Sequence, residues 1–159
     1  MTTDREKRQE RAYQRLDTRT PRCSVEGCDE RDPAALTGAE PTVVCYEHLA
    51  QAEGRSWSEG DHLAGQHNDP TPVIDLPGND HRVKSDLMAD WPETTIRNPS
   101  RSPLIRAAAT IRGWLDVLWV IITRGVGWIP EFLERLDAWL TRLHGDRWWT
   151  DPDLGWEGA

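Results

Sequence analysis

Apolar residues in the last third of the chain recur at helical spacing. One stripe with intervals of 4-3-4-3-4 comprises Leu104, Ala108, Ile111, Leu115, Leu118 and Ile122. A second stripe, formed by Trp114, Val117 and Ile121, lies beside the first. The two stripes together predict a helix that is apolar around much of its circumference.

A second helix is predicted after the glycines at positions 125 and 127. Pro130 suits its first turn, Glu131 favours its positive end, and Gly145 is a typical C-terminal cap. Its apolar face comprises Phe132, Leu133, Leu136, Trp139, Leu140 and Leu143. We therefore predict a helical hairpin over residues 104–145, followed by a Trp-rich tail over residues 146–159.

The first of these helices is a poor candidate for a membrane span. Its longest uninterrupted apolar run, residues 117–122, is far shorter than the roughly 18 residues that a span requires. Arg106, Arg112 and Asp116 would also lie inside the bilayer, at a cost of a few kcal/mol each. A packed hairpin is favoured, with an interfacial helix or a homodimer through residues 104–145 as alternatives.

The rest of the chain divides by composition into three segments. Residues 1–20 mix basic and acidic side chains and predict a charged N-terminal helix. Residues 92–103 contain three prolines and predict a linker without regular structure. Between them, residues 21–91 hold all three cysteines and four of the five histidines, so candidate chemistry concentrates there.

Charge narrows the classes of function. The 159 residues carry a formal net charge of −8. A protein that binds nucleic acid through its overall charge would carry a positive net charge. Lysine occurs only at Lys7 and Lys84. In its scarce lysine and abundant acid, the composition resembles that of proteins from halophiles, such as haloarchaea or their viruses. No apolar segment follows the start, so we expect no secretory signal, reduced thiols and a cytoplasmic location.

The cysteines form one pattern with zinc-ligand spacing. Cys23 and Cys28 make a C-x4-C knuckle, and Cys45 and His48 follow as a C-x2-H pair before a helix-compatible segment. Residues three apart on a first helical turn point the same way, and a short hairpin could bring the knuckle to them. We predict a structural Zn²⁺ in a treble-clef-like knuckle, because four ligands close a tetrahedral shell.

A second constellation lies between residues 59 and 82. Asp61 and His62 are neighbours, so on a strand they face opposite ways. Asp61 and His81, with Asn79 or Asp80 as a candidate third ligand, suit Mg²⁺, Mn²⁺ or Zn²⁺ with positions left open for substrate. The His62 imidazole could then deprotonate a water near neutral pH.

The same segment resembles a known family. Asp-His-Leu-Ala-Gly at 61–65, Asn-Asp-Pro at 68–70, and a hydrophobic strand leading to Leu-x-x-x-x-His at 76–81 are similar to the ββα-metal core of HNH endonucleases. The resemblance covers about 35 residues. It implies that Asp61 and His81 bind a divalent ion, that His62 is the general base, and that DNA phosphodiester bonds are hydrolysed.

The chain also departs from that family. Pro77 and Asp80 stand where a Cys-x-x-Cys often flanks the last histidine, so the upstream knuckle would take over the scaffolding. Asn68 is a stand-in for the family's central asparagine, and Asn68 and Asn79 are candidate supporting residues. The candidate nucleic-acid contacts are Arg82, Lys84, Arg97 and Arg101, with Arg5, Arg8, Arg11 and Arg15 as a second set.

Two functions follow from these patterns. The first is a metal-dependent HNH-type endonuclease, and the second is a non-catalytic zinc-binding adaptor or nucleic-acid-binding module whose Trp-rich hairpin dimerises or docks. The predicted fold class is α+β, with a small zinc-stabilised ββα-metal core over residues 21–91 and a C-terminal helical hairpin.

Overall fold

The computed structural model of the protein describes residues 3–150, so the predicted tail beyond Thr150 lies outside the described residues. The fold is mixed α+β, which confirms the predicted class at that level. The chain forms two compact units, one up to Val120 and one from Ile121. The helices are α1 Asp4–Leu16, α2 Tyr46–Ala52, α3 Gly78–Met88, α4 Glu93–Arg97, α5 Pro103–Val120 and α6 Ile129–His144; the strands are β1 Leu36–Thr37, β2 Val44–Cys45, β3 Ser58–His62 and β4 Val73–Pro77.

Helix α1 begins at a capping box. The Glu6 amide donates to the Thr3 hydroxyl over 3.2 Å, and the Glu6 carboxylate accepts from the Thr3 amide over 2.6 Å. The helix ends where Asp17 adopts a left-handed conformation, with φ at 54°. Leu16 is completely buried, so the last turn of this charged helix is anchored in the core.

A small core surrounds the first sheet. Strands β1 and β2 pair antiparallel, with Leu36 opposite Cys45. Leu36 and Cys45 pack with Leu16, Cys23 and Val43, all of which are buried. Cys45 is the last residue of β2 and, in an extended conformation, the N-cap of α2. The helix therefore begins directly after the strand.

A second hairpin leads into helix α3. Strands β3 and β4 pair antiparallel with Asp61 opposite Ile74, and β4 runs without a break into α3. A tight turn follows β3, where Gly65 has a φ of +75°, a conformation that L side chains rarely adopt. Leu63 and Leu76 pack against Val117 of α5, which fixes the hairpin on the longer helix.

The predicted linker over residues 92–103 is wrong, because this segment contains helix α4 and buried side chains. Pro92 caps α4, Pro99 follows its left-handed C-cap Asn98, and Pro103 is the first residue of α5. Pro92 and Pro103 are compatible with helices because a helix start does not need the missing N–H, and Pro99 lies just past the end of α4, where proline is common. Asn98 is buried and exchanges hydrogen bonds with the Ser102 backbone over 3.1 and 2.9 Å, which joins the two helices.

Helix α5 packs through small residues. Its buried positions are Ala109, Gly113, Val117 and Val120. A Cβ on Gly113 would overlap the backbone carbonyl of Leu63, so the glycine permits a close approach of the helix to the loop after β3. The stripe of larger residues is exposed, by 79% at Leu104, 61% at Ile111, 59% at Leu115 and 48% at Leu118.

The unit from Ile121 consists of helical segments. It comprises a π-helical segment Ile121–Val126, helix α6 and a 3₁₀ turn Trp148–Thr150. Pro130 lies in the first turn of α6 and Gly145 is its C-cap, as the sequence predicts. No residue of α6 is buried. The Trp148 indole donates to the Asp137 carboxylate over 2.8 Å, which attaches the start of the tail to this helix.

Candidate metal centre and second polar cluster

Four predicted zinc ligands converge in the first half of the chain. The ligand atoms of Cys23, Cys28, Cys45 and His48 all lie within 4.8 Å of one another. The His48 Nδ1 is 3.1 Å from the Cys45 Sγ and 3.5 Å from the Cys23 Sγ. Within residues 3–150, no other group of three or more His, Cys, Asp or Glu side chains has this geometry. The four residues are close enough to hold a metal ion.

The backbone explains why the knuckle meets the helix. The Ser24 amide donates to the Val43 carbonyl over 2.8 Å, which places the segment holding Cys23 beside the strand that ends at Cys45. The Cys28 amide donates to the Val25 carbonyl over 3.1 Å and closes the knuckle turn. Gly27 has a φ of +80°, so it gives the turn its left-handed step just before the second thiol.

The donor set fits a tetrahedral cation. Zn–S and Zn–N bonds of about 2.3 and 2.0 Å place sulfur and nitrogen about 3.5 Å apart around a tetrahedral ion, close to the separations at His48. Burial opposes ionisation of Cys23, but hydrogen bonds from the Val25 and Cys45 amides and from His48 outweigh it and lower the pKa of that thiol to about 7. Burial and the two neighbouring thiols raise the pKa of Cys28 to about 11. A cation supplies the charge that lets three thiolates lie together.

A second polar cluster lies between β3 and α3. The His81 Nε2 is 3.4 Å from an Asp61 carboxylate oxygen, and the His81 Nδ1 is 2.6 Å from Glu59. The structure therefore brings the predicted pair of Asp61 and His81 together. It adds Glu59, which was not among the predicted site residues, although Glu59 lies two residues before Asp61 and so shares its face of the strand.

Lys84 occupies the other side of Asp61. Its ammonium lies 2.8 Å from the second Asp61 oxygen, and the lysine is completely buried. The prediction that Lys84 contacts nucleic acid is therefore wrong, because solvent does not reach its side chain. Its ammonium also donates to the His62 carbonyl over 3.4 Å and lies 5.9 Å from the centre of the Trp91 ring.

Lys84 changes the chemistry available at this cluster. Asp61 is buried, and the lysine ammonium neutralises it from within the chain, so a divalent ion on Asp61 would face a fixed positive charge. One signal in the sequence could have found this arrangement. Lys84 lies three residues after His81, so the two share a face of a predicted helix.

Asp116 of α5 extends the cluster. Its carboxylate accepts a hydrogen bond from the Trp91 indole over 2.9 Å. Burial raises the pKa of Asp116, against the opposing effects of Trp91 and Lys84. This acid therefore ties α5 to the end of α3, and it was not among the predicted ligands.

His62 points away from this cluster. It follows Asp61 on an extended strand, so the two side chains lie on opposite faces. The His62 Nδ1 is 3.1 Å from the Pro70 carbonyl, and the side chain is half-buried. This contact fixes the ring by one nitrogen and leaves the other nitrogen for a different partner.

The two predicted supporting asparagines form hydrogen bonds with backbone groups. The Asn68 amide group donates to the carbonyls of Ala64 and Thr95 over 3.1 and 2.7 Å. The Asn79 side chain accepts from the Glu47 amide, and the Glu47 carboxylate accepts from the Asn79 amide, each over 3.2 Å. The starts of α2 and α3 thus cap each other, which connects the metal-ligand cluster to the second polar cluster.

Of the other residues predicted to contact nucleic acid, Arg82 is paired within the protein, and Arg97 and Arg101 are exposed. Arg82 pairs with both Glu59 oxygens over 2.9 and 3.0 Å and stacks 4.5 Å from the centre of the Tyr46 ring. Burial opposes ionisation of Glu59, but His81 and Arg82 outweigh it and lower the pKa of Glu59. Arg97, which pairs with a glutamate one turn earlier, and Arg101 face solvent.

Comparisons with known proteins returned nothing. No family model, curated protein or solved structure matches this chain. Among the described helices, none combines the length and apolar character needed to cross a membrane.

Proposed function

We propose that this chain is a zinc-stabilised, non-catalytic interaction module. The observation that carries the proposal is the convergence of four zinc-type ligands, within 4.8 Å of one another, from a knuckle and the first turn of α2. Three thiolates and one imidazole complete a tetrahedral shell and leave no position for substrate. The role of Zn²⁺ is then to hold the knuckle, the first sheet and α2 together.

The second part of the proposal is that helix α5 docks a second copy of the chain. Its outward face presents Leu104, Ile111, Leu115 and Leu118, all exposed, and no charged residue shares their stripe. The spacing of this stripe is that of a seam between two paired helices. Because a two-fold interface uses the same patch twice, a second α5 offers a matching apolar surface.

Metal analysis tests the first part. Protein purified without chelator should contain about one Zn²⁺ per chain, and Cys45→Ser should lower this content strongly because it removes one thiolate. Thr42→Ser is a matched control, since this exposed hydroxyl lies three residues before Cys45 and outside the ligand set. Wild-type protein without near-stoichiometric zinc would overturn the proposal.

The mass of the particle in solution tests the second part. We expect a dimer by light scattering, and a monomer for the double variant Leu115→Glu, Leu118→Glu, since buried glutamates would oppose each other across the seam. Trp57→Glu changes an exposed apolar residue outside the stripe and should leave the dimer intact. A monomeric wild type, or one that becomes larger only with lipid vesicles, would contradict docking of a second copy.

A metal-dependent HNH-type nuclease is the second candidate, favoured by one specific arrangement. The hairpin of β3 and β4 followed by α3 has the ββα order, and Asp61 and His81 approach each other at its centre. The His62 Nδ1 contact with the Pro70 carbonyl would leave the Nε2 to accept a proton from water. The buried Lys84 ammonium beside Asp61 weighs against this candidate.

Plasmid nicking decides between the two candidates. The module predicts no cleavage above background with Mg²⁺ or Mn²⁺, at low or multimolar salt. A nuclease predicts nicking that His62→Ala abolishes without loss of fold, while His67→Ala, which changes an exposed histidine nearby, retains it. Cleavage that persists in the His62 variant would end the general-base assignment.

A further inference from the structure

A basic cavity lies beside the second polar cluster and shares only Arg82 with the site residues described above. It has a volume of about 500 Å³ and is bounded by α1, residues 32–34 and α3. Its lining includes Arg5, Arg8, Arg11, Arg15 and Arg82, against two acids, Asp32 and Asp86. Asp90 and Glu59, just outside the lining, pair with Arg8 and Arg82, so five positive side chains face four negative ones in a chain of net charge −8.

Two of these arginines build the walls of the cavity. The Arg8 guanidinium pairs with Asp86 over 2.7 Å and with Asp90 over 2.9 Å. The Arg15 guanidinium donates to the carbonyls of Pro33 and Leu36 over 3.1 and 2.8 Å. These contacts attach α1 to α3 on one side and to the loop before β1 on the other, so the cavity is held open by fixed elements.

Other guanidinium groups retain unused donors. The Arg5 guanidinium lies 5.6 Å from the centre of the Trp119 ring, and neither Arg5 nor Arg11 forms a salt bridge within the described residues. The Nε atoms of Arg5 and Arg82 are buried and have no hydrogen-bond partner in the described part of the chain. A buried donor without a partner is unfavourable, and both side chains line the cavity, where an anion could reach their guanidinium groups.

The rest of the lining indicates the kind of anion. The walls also contain five small apolar residues, Ala12, Pro33, Ala34, Val83 and Ala89. Guanidinium groups match phosphate oxygens in geometry and charge, and the volume lies within the usual range of small-molecule pockets. We propose that this cavity binds a small molecule that carries a phosphate or diphosphate group, with its uncharged part against the apolar wall.

The surroundings favour a small ligand over a nucleic acid. Asp4, Glu6 and Glu10 also lie on α1, and a long polyanion crossing this helix would meet their negative charge. Nucleic-acid affinity depends on many phosphate contacts along an extended basic track. Here the arginines line a concavity bounded by two helices and a loop, a shape that suits one or two phosphate groups.

Calorimetric titration with inorganic pyrophosphate tests the site. The full-length protein should bind one pyrophosphate saturably, at ionic strength held constant with sodium chloride. Arg5→Gln and Arg11→Gln should each weaken binding about tenfold, the value of a charge-assisted hydrogen bond. Arg97→Gln removes an exposed arginine of α4 and should leave the dissociation constant within about twofold, since it lies outside the cavity.

The variants also distinguish a site from a general charge effect. Arg5→Lys keeps the charge but loses the planar fork, so its loss of affinity should fall between those of the wild type and Arg5→Gln. Absence of saturable pyrophosphate binding, or equal weakening in all the arginine variants including Arg97→Gln, would overturn the proposal. So would binding of a duplex DNA oligonucleotide that depends on Arg5 and Arg11 while pyrophosphate does not bind, which would assign the surface to nucleic acid.

Discussion

The two polar centres of this molecule differ in whether a positively charged side chain lies beside their converging groups. At the first, Cys23, Cys28, Cys45 and His48 converge, and no lysine or arginine side chain among the described residues pairs with their ligand atoms. At the second, Asp61 and His81 also converge, but Lys84 supplies a cation from helix α3 at 2.8 Å from Asp61. A metal ion would balance three thiolates at the first centre, whereas Lys84 already balances Asp61 at the second.

This difference shows how a candidate metal site can be judged from its neighbours. Buried anionic ligands must be neutralised, because transfer of an unpaired charge from water is very costly. A fully buried lysine beside a carboxylate neutralises the carboxylate, so a divalent ion is not needed for charge balance there. In a cluster of thiols without such a partner, the negative charge of the thiolates can be neutralised by a metal ion.

Metal removal should produce the largest effect, and it acts through the ligands of the first centre. Structural zinc sites contribute about 10 kcal/mol or more of folding free energy, which is comparable with the whole stability of a small domain. We expect excess chelator at pH 7 to abolish the native circular dichroism of the wild type and added Zn²⁺ to restore it. Full retention of structure in metal-free protein would remove the distinction between the two centres.

Removal of the lysine should produce the next largest effect, at the second centre. Lys84→Ala leaves the buried Asp61 carboxylate without its cation, and the loss of one partner of a buried pair costs about 3–5 kcal/mol. Urea denaturation of the zinc-loaded protein measures this change. Lys7→Ala is the matched control, because its lysine is an exposed partner of Asp4 and should cost less than about 0.5 kcal/mol.

A paired substitution sharpens the same test. Asp61→Asn combined with Lys84→Met removes both charges, and the double variant should be more stable than Lys84→Ala by about 2 kcal/mol or more. Equal losses in the double and single variants would mean that packing of the lysine chain, and not its charge, determines the stability of the cluster.

The sequence predicts which residues converge at the two centres, but it does not predict the lysine that distinguishes them. The C-x4-C and C-x2-H spacings predict the first cluster because both pairs are local, and a short hairpin is enough to join them. The approach of Asp61 to His81 was also predicted, from a strand and the helix that follows it. The insertion of Lys84 was not, because a lysine is usually at the surface and only tertiary packing shows that this one is enclosed.

Helix α5 shows a second limit of sequence patterns. Its periodicity correctly predicts a helix with apolar residues on several sides, but it cannot say which side packs against the rest of the protein. The structure selects the face with Ala109 and Gly113, since their small size permits contact with the Leu63 backbone. The face with the larger side chains of Ile111 and Leu115 stays exposed.

Acid should weaken the second centre through Glu59. The pKa of Glu59 is lowered from 4.5, because the contacts with His81 and Arg82 outweigh burial. A lowered pKa gives stability that is present above about pH 4.5 and is lost as pH falls through the lower, folded-state value. At pH 7, Glu59→Gln should therefore cost about 1.5 kcal/mol.

The pH dependence separates this contribution from the metal ligands. Loss of zinc at low pH affects the wild type and Glu59→Gln alike, so the quantity to measure is the difference in unfolding free energy between them. This difference should be constant from pH 7 to about 5 and should shrink below about pH 4.5. A difference that does not change with pH would show that the Glu59 carboxylate is not stabilised in its charged form.

The smallest effect concerns the connection between the two centres. Glu47 on α2 and Asn79 on α3 cap each other's helices through two hydrogen bonds of 3.2 Å, and loss of a helix cap costs about 1 kcal/mol. Glu47→Ala and Asn79→Ala should each show this loss in urea denaturation. Each substitution breaks a different one of the two bonds, but both bonds join the same two helix starts, so the losses should not be additive in the double variant. Strict additivity would mean that the two centres are stabilised independently, and that the metal cluster does not support the Lys84 cluster through these caps.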